Sequence, residues 1–193
     1  MSGRASAKAD LERLLKIRPF ILSQFAEGSD LPELAGSAHV HLSPAAIAGL
    51  ISRETDGHWK YCIPPTKGGS LGDSGHGCGP GQIDDRSFPD LCRRWREGKA
   101  DLNEMVHASC LVLIGKVKTL RRLAKNLPEA QVFQAALAAY NCGELRVLQC
   151  LKTGLPVDHF TAGHNYSADT LERIAFYEEI GFGETSPNEA PHA

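Results

Sequence analysis

Residues 58–90 restrict the fold most strongly, because they contain too many helix-breaking residues for a long helix. Glycine stands at seven positions between 68 and 81, and proline occurs four times in the segment. Such a density of glycine and proline favours turns and short strands. On both sides of this segment, apolar residues recur at helical spacing. The sequence therefore predicts a mainly α fold with one small β hairpin or sheet.

Apolar spacing and end signals place the helices. We expect a first helix over residues 9–26, with Pro19 as its start or as a kink, followed by a polar loop from Glu27 to His41. Asp101 and Glu104 are spaced as a capping-box-like start to a long helix. Further helices are predicted from Pro128 to near Gly143, over 144–152 and over 168–180.

The chain shows no internal repeat and no linker that would divide it. A length of 193 residues suits one domain with a single core. We expect a flexible N-terminus over residues 1–8, a folded domain over 9–182 and a disordered tail over 183–193, where the sequence is polar and contains proline.

Composition and charge exclude two classes of partner. The net charge is −2, and 23% of the residues are charged, so the strongly basic face of a nucleic-acid-binding protein is not expected. No apolar run is long enough to cross a membrane. Residues Met1–Asp10 also lack the apolar core of a secretory signal. The sequence thus predicts neither a nucleic-acid nor a membrane partner.

The cysteines leave their redox state open. Six cysteines allow fifteen full pairings, but free buried thiols are an equally good interpretation. A metal site built from His58, Cys62, His76 and Cys78 is a further alternative. Structural zinc sites usually show closely spaced ligand pairs, and no Cys-x-x-Cys is present. We therefore expect neither a metal nor a cofactor.

Glu54 is an unusual residue for the apolar face of a helix. Ser43 is a good N-cap, and Pro44 is tolerated at the first helical position. Burial and the nearby helix C-terminus both disfavour a charged carboxylate and raise its pKa. A carboxylic acid that stays protonated near neutral pH can protonate a leaving oxygen; an exposed glutamate at a frayed helix end is the alternative. The apolar residues that share its face are Ile47, Leu50 and Ile51.

Two aspartates, Asp73 and Asp84, lie in the glycine-rich segment downstream. A helical acid that faces carboxylates on a hairpin suits the cutting of glycosidic bonds, because one carboxyl protonates the leaving group while another activates water. Aspartate also favours turns for its own reasons. From the residues alone, both interpretations stay open.

Four blocks of the chain together resemble the goose-type lysozymes. Ala48–Glu54 is similar to the helix that carries the catalytic glutamate of that family, and Gly72–Asp84 is similar to its hairpin with two aspartates. Ala139–Gly143 resembles its Ala-Tyr-Asn-small-Gly motif, and Asn165-Tyr166 resembles a further tyrosine-bearing element. The blocks occur in the order of the family and cover roughly residues 8–182.

The resemblance implies a lysozyme-like α+β fold and hydrolysis of β-1,4 bonds between N-acetylated sugars of peptidoglycan. It implies that Glu54 is the general acid and that Asp73 and Asp84 hold the attacking water, which gives inversion. We favour Asp84 as the main base, since it follows the apolar Ile83 and is expected on a strand. The residues implied to bind substrate are Tyr140, Asn141, Tyr166, Gln82 and Gly79.

Several alternatives remain within and beyond this family. Related lytic transglycosylases lack the two aspartates, and a glycan-binding module would not need all three acids. The sequence departs from the family pattern at Pro80 and Gly81, which replace large apolar residues. Cys78 stands where an aromatic residue is common, and Phe88 takes a place near a histidine of the avian proteins. These departures leave chitin open as a substrate.

The resemblance also implies where the protein acts. We expect a monomer that binds peptidoglycan or chitooligosaccharide strands. We expect it to be secreted or to act at the cell wall, by a route that residues 1–10 do not reveal.

Overall fold

The computed structural model describes residues 2–40 and 42–184, except for the side chain of Ala130. Within these ranges the fold is mainly α with one small β region, as predicted. None of the described helices combines the length and apolarity needed to span a membrane. The elements are α1 (Gly3–Ser23), α2 (Leu31–Ser37), α3 (Pro44–Thr55), β1 (Gly77–Cys78), β2 (Ile83–Asp84), α4 (Pro89–Arg96), α5 (Leu102–Leu123), α6 (Glu129–Cys142), α7 (Glu144–Thr153) and α8 (Tyr166–Glu179).

The glycine-rich segment forms turns and a hairpin, as its composition predicts. Strands β1 and β2 are antiparallel, with Gly77 opposite Asp84 and Cys78 opposite Ile83. Three single-turn 3₁₀ helices precede or enter the hairpin: Trp59–Tyr61, Pro65–Lys67 and Asp73–Gly75. Within the described ranges these two strands form the whole sheet.

The predicted helix starts are confirmed where capping residues mark them. The Oγ of Ser43 accepts a hydrogen bond from the N–H of Ala46 at 3.1 Å, and α3 begins at the next residue. Asp56 ends the same helix in a left-handed conformation. In α5, Asp101 and Glu104 form a reciprocal capping box, with both hydrogen bonds at 2.9 Å.

The N-terminus departs from the expected flexible segment. Helix α1 begins at Gly3, so residues 3–8 are helical, and Pro19 lies inside the helix. A Cβ on Gly3 would lie 2.2 Å from the carbonyl oxygen of Asp169, which shows how closely this first turn packs on α8. Tertiary packing, with Gly3 and Ala7 buried, orders a segment whose own sequence is small and polar.

Two further local expectations were wrong, and one helix was missed. The predicted loop from Glu27 to His41 contains α2, which buries Leu31 and Ala35 although its sequence is too short for clear periodicity. Helix α4 was not predicted, because Pro and Gly dominate its surroundings. The tail is ordered through residues 183–184, where Arg18 donates to the carbonyl oxygens of Phe182 and Glu184. Residues 185–193 of the predicted disordered tail lie outside the described residues.

Two apolar clusters form the core. The larger one surrounds α3, in which all but three residues are buried, and joins it to α1, α5, α6 and α8. The smaller cluster lies under the hairpin and contains Cys78, Ile83, Cys92, Trp95 and Met105. The fold therefore holds the last turn of α3 between a rigid helical core and the hairpin.

All six cysteines are free thiols, which answers the question left open by the sequence. Five are buried, and Cys142 is partly exposed. Burial raises the pKa of the Cys62 thiol to about 12, so this group stays protonated. The buried cysteines act as small apolar core residues.

Candidate active site

A buried ion-pair network, which the sequence analysis did not identify, holds α3 against α1 and α8. Arg173 of α8 donates to the carboxylates of Asp10 and Asp169, both at 2.8 Å. It also donates to the carbonyl oxygen and hydroxyl of Ser52, at 3.0 and 2.7 Å. All four residues are buried. Asp10 shares a helical face with the buried Ala7, a pattern that could have indicated its burial from the sequence. Through Ser52, the network reaches within two residues of Glu54.

Glu54 occupies the last turn of α3, and its Oε1 accepts a hydrogen bond from the hydroxyl of Tyr166. Burial raises the pKa of Glu54 from 4.5 to about 7, although the residue keeps some exposed surface. The Tyr166 hydrogen bond and the charge of Arg53 lower this pKa, while the charge of Asp73 raises it further. A large fraction of Glu54 therefore still carries a proton near pH 7, where an ordinary glutamate is ionised.

Arg53 supports Tyr166 from the neighbouring position on α3. Its guanidinium lies 5.1 Å from the centre of the Tyr166 ring, a cation–π distance. Its Nε is 3.5 Å from the carboxylate of Asp169, and its Nη2 donates to the carbonyl oxygen of Ala162 at 3.3 Å. Arg53 thus connects the buried network to the ring that contacts Glu54.

The hairpin is fixed beside Glu54 by two hydrogen bonds to its tip. Thr55, which follows Glu54, donates to the carbonyl oxygen of Pro80 at 3.1 Å. The hydroxyl of Tyr140 donates to the carbonyl oxygen of Gly81 at 2.7 Å. A Cβ on Gly81 would lie 2.1 Å from the Oγ of Ser109. The glycine that departs from the family pattern therefore allows this close approach.

Gln82 and Gly79 shape the hairpin itself. The amide nitrogen of Gln82 donates to the carbonyl oxygen of Gly79 at 2.9 Å. A Cβ on Gly72 or Gly77 would lie 1.6 or 2.2 Å from the Gln82 Oε1, so this side chain fills the space between those glycines. Gly79 has a φ of +70°, and a Cβ there would lie 2.9 Å from Met105. Gln82 and Gly79, both predicted to bind substrate, therefore also stabilise the backbone of the hairpin.

Arg86, a residue absent from the predicted site, lies between the two aspartates. Its Nε and Nη2 donate to the two carboxylate oxygens of Asp84 at 2.8 and 2.9 Å, and its backbone N–H donates to the same carboxylate at 2.9 Å. Its Nη2 is also 3.4 Å from Asp73. The Arg86 hydrogen bonds hold the pKa of Asp84 below its usual value. Asp73 has a left-handed backbone with φ +44°, a conformation that non-glycine residues adopt at some cost.

A cleft of about 730 Å³ runs past the hairpin and the end of α6. It is lined by five of the eight predicted site residues, whereas Glu54, Tyr166 and Gly79 are not in its wall. Burial and, secondarily, the charge of Glu54 raise the pKa of Tyr140, so the acid lies close to this wall. The amide oxygen of Asn141 accepts from the N–H of Ala162 at 2.9 Å. The five predicted residues in the wall are Asp73, Gln82, Asp84, Tyr140 and Asn141.

The candidate metal ligands from the sequence have other partners. His76 Nδ1 is 2.9 Å from Asp85 Oδ1, and Cys78 is buried under the hairpin. Across the part of the chain that the structure describes, no three His, Cys, Asp or Glu side chains are grouped to hold a metal ion.

Comparisons with known proteins identify the family. The family model "Lysozyme g" matches residues 5–181. The chain is 28% identical to the lysozyme g of Casuarius casuarius over 73% of its length and 68% of the relative. It is 27% identical to the lysozyme G of Dromaius novaehollandiae, and 30% identical to the lysozyme g of Takifugu rubripes. These two matches span 73% of the chain and 61% and 70% of the relatives.

The match covers about two thirds of each relative's length. The family is therefore identified from the domain that this chain shares with the relatives. That domain has the helices, the hairpin and the glutamate-bearing α3 that the resemblance implied. The family match covers nearly the whole chain, and the chain therefore belongs to the lysozyme g family of glycoside hydrolases.

Proposed function

We propose that this protein hydrolyses β-1,4 bonds between N-acetylated sugars of peptidoglycan, with Glu54 as the general acid. The observation that carries the proposal is the Glu54 carboxyl group, held by Tyr166 with its pKa raised to about 7. An acid with this pKa keeps its proton until a leaving oxygen needs it near neutral pH. We propose the predicted segment 9–182 as the catalytic domain, extended at its start by the helical residues from Gly3.

The two aspartates support hydrolysis with inversion. An inverting enzyme places a second carboxylate across the sugar from the acid, with room for one water between them. Asp73 and Asp84 both line the cleft. In a transglycosylase, a hydroxyl of the sugar itself attacks, and two carboxylates for a water would have no role. Tyr140, Asn141, Tyr166, Gln82 and Gly79 are proposed to shape and contact the sugar site.

The contacts of the two aspartates favour Asp73 as the main base, in contrast to the preference from the sequence. Both carboxylate oxygens of Asp84 accept hydrogen bonds from Arg86. Asp73 has one long contact to Arg86, and its Oδ1 makes no hydrogen bond to any described residue. Its charge also acts on Glu54. We assign Asp73 as the group that takes the proton of the attacking water, while Asp84, held in place by Arg86, helps to position the same water.

The reaction products test this mechanism. Early in the digestion of a β-linked oligomer, NMR is expected to detect the α-anomer, and mass spectra are expected to show one added water per cut. Replacing both Asp73 and Asp84 by Asn should lower the rate far more than either single change, because the two share one water. Asp85→Asn, on the neighbouring residue, serves as the control. A 1,6-anhydro sugar as the main product would replace hydrolysis by transglycosylation, and a fully active double variant would remove both acids from the mechanism.

The pH profile tests the assignment of the acid. Activity needs Glu54 protonated and the aspartates ionised, so kcat/KM should fall as pH rises through about 7 and fall again in acid. Arg86→Gln removes the partner that lowers the pKa of Asp84, so the acid limb should move to higher pH while the basic limb stays. Arg93→Gln, on an exposed arginine of α4, should move neither limb. If Arg86→Gln shifts the basic limb while Glu54 variants leave it in place, the assignment of Glu54 as the acid is wrong.

We further propose that the protein acts as a monomer, secreted or at the cell wall, where peptidoglycan lies. Family membership supports a glycan substrate, and both peptidoglycan and chitooligosaccharides fit that description. Separate digestion of the two polymers, with products identified by mass, distinguishes them.

A further inference from the structure

Trp59 is an aromatic side chain that the fold leaves partly exposed and without a partner. The residue is 44% exposed, and no hydrogen bond, ring contact or cation–π contact joins its indole to another described residue. Tyr61 in the same turn is already covered, because the Nζ of Lys60 lies 4.8 Å from the centre of its ring. The second tryptophan of the chain, Trp95, is fully buried under the hairpin. The indole face and N–H of Trp59 are therefore open to a ligand.

The backbone keeps Trp59 close to Glu54. The carbonyl oxygen of Thr55 accepts a hydrogen bond from the N–H of His58 at 2.9 Å, which closes a β-turn directly after Glu54. The ends of a β-turn lie within about 7 Å of each other, and each further residue adds at most about 3.8 Å between Cα atoms, so the Cα of Trp59 lies within about 15 Å of the Cα of Glu54. Trp59 does not line the cleft that passes the hairpin. It therefore lies near the acid but outside the cleft wall.

Two backbone hydrogen bonds fix the turn that presents this indole. The N–H of Cys62 donates to the carbonyl oxygen of Trp59 at 2.8 Å, and Cys62 is buried in the larger apolar cluster. The N–H of Ser70 donates to the carbonyl oxygen of Lys60 at 2.7 Å, which ties the turn to the segment that leads into the hairpin. A side chain on an anchored backbone loses less freedom when a ligand binds than one on a mobile loop.

We propose that Trp59 is a stacking platform for a sugar ring of the glycan strand, at a binding position beyond the cleft wall. This inference rests on the proposed function and adds a sugar-binding site to it. A β-1,4 strand is extended, so the sugars next to the pair that is cut reach surfaces outside the cleft. Trp59 is an exposed aromatic residue within reach of such a sugar.

The chemistry of the indole fits this ligand. The substituents of a β-linked N-acetylated sugar are equatorial, so its axial C–H groups form an apolar face that can cover an aromatic ring. The stacked ring and sugar both lose contact with water, while the Trp59 Nε1–H remains free to donate to a hydroxyl or acetamide oxygen. Sugars of peptidoglycan and of chitin share this apolar face. The platform therefore strengthens binding of long strands without selecting between the two polymers.

Indole fluorescence can measure this contact directly, because the chain contains only two tryptophans. Trp95 is buried, so acrylamide should quench mainly Trp59. In the Glu54→Gln variant, which binds without cutting, long chitooligosaccharides should protect the indole from quenching. Short ones that fill only the cleft should not. In Trp59→Phe with Glu54→Gln, the protection should disappear, which shows that Trp95 does not supply the signal.

Substitutions at the same position test the contribution to binding. Trp59→Ala should weaken the binding of long oligosaccharides to Glu54→Gln by about tenfold and leave that of short ones unchanged, and Trp59→Phe should keep most of the affinity because it keeps an aromatic face. In the active enzyme, Trp59→Ala should raise KM on long substrates while kcat stays. The matched control is Ile180→Ala, on a residue that follows α8 and is 43% exposed, which should change neither value.

Equal losses for short and long oligosaccharides, or no protection of Trp59 by long ones, would overturn the platform. Its failure and that of the proposed function can be told apart. If the native enzyme cuts no glycan, the proposed function fails, while protection that depends on the length of the oligosaccharide still supports Trp59 as a sugar-binding residue.

Discussion

Glu54→Gln is expected to lower the rate of glycan cleavage by about 10²–10⁴-fold, the usual contribution of a general acid. The amide keeps the size of the side chain and still accepts the hydrogen bond from Tyr166, but it has no proton of suitable acidity for the leaving oxygen. Substrate binding and the fold should therefore stay close to native. Rates on peptidoglycan, together with binding of an oligosaccharide, measure the two effects separately.

The same variant should change stability in a pH-dependent way. Because burial raises the pKa of Glu54 above its value in the unfolded chain, the native state loses stability as pH rises from about 4.5 to about 7. One pKa unit corresponds to about 1.4 kcal/mol, so Glu54→Gln should gain up to about 3 kcal/mol relative to native at pH 8 and little at pH 4.

A control on a remote glutamate separates this effect from a general loss of charge. Glu178 is an exposed residue of α8, and Glu178→Gln should change neither the rate nor the pH dependence of stability. If Glu54→Gln retains more than about a tenth of the native rate, another group supplies the proton. A stability difference that is the same at pH 4 and pH 8 would contradict the raised pKa.

Arg173→Met is expected to destabilise the fold by about 3–5 kcal/mol, the cost of breaking a buried ion pair from one side. The methionine fills much of the space but removes the buried cation that joins Asp10 to Asp169, and leaves these carboxylates with only the less buried Arg13 and Arg53 beside them. Urea unfolding followed by circular dichroism should show a lower midpoint with an unchanged m-value. Since the network joins α1, α3 and α8, partial loss of activity should accompany the change.

The chain contains a matched control for this prediction. Arg4 and Glu179 form an exposed ion pair between α1 and α8, with side chains 53% and 61% accessible. Arg4→Met should cost no more than about 1 kcal/mol, because water screens and competes for such a pair. Similar losses in the two variants would show that burial of the Arg173 network adds nothing to its strength.

Some elements of this protein could be predicted because their signals are local. Ser43 and the Asp101–Glu104 pair marked the starts of α3 and α5 through hydrogen bonds within a single turn. Glu54 could be identified because one helical face carried it together with three apolar residues. The high density of glycine predicted the hairpin region for a similar reason, because each glycine changes the conformations open to its own backbone.

Other elements depended on contacts between distant residues. Residues 3–8 are helical because Gly3 packs against α8, more than 160 positions away, and because Ser2 caps the first turn of α1 through a hydrogen bond from the N–H of Ala5. Arg86 and Arg53 joined the candidate site only when the folded chain brought them to Asp73 and Tyr166. The cysteine state followed in the same way, since six thiols allow many pairings until their positions are known.

The sequence by itself determined the fold class, the glutamate on a buried helical face and the two aspartates in the hairpin region, because spacing within one element decides each of these. Tertiary structure decided how far the pKa of Glu54 rises, since that depends on burial by several elements and on the hydroxyl of Tyr166. It also decided which charged groups are already paired. Arg86 binds Asp84, while Arg146 lines the cleft without an ion-pair partner among the described residues. Burial and charge pairing arise between elements, and local sequence patterns do not specify them.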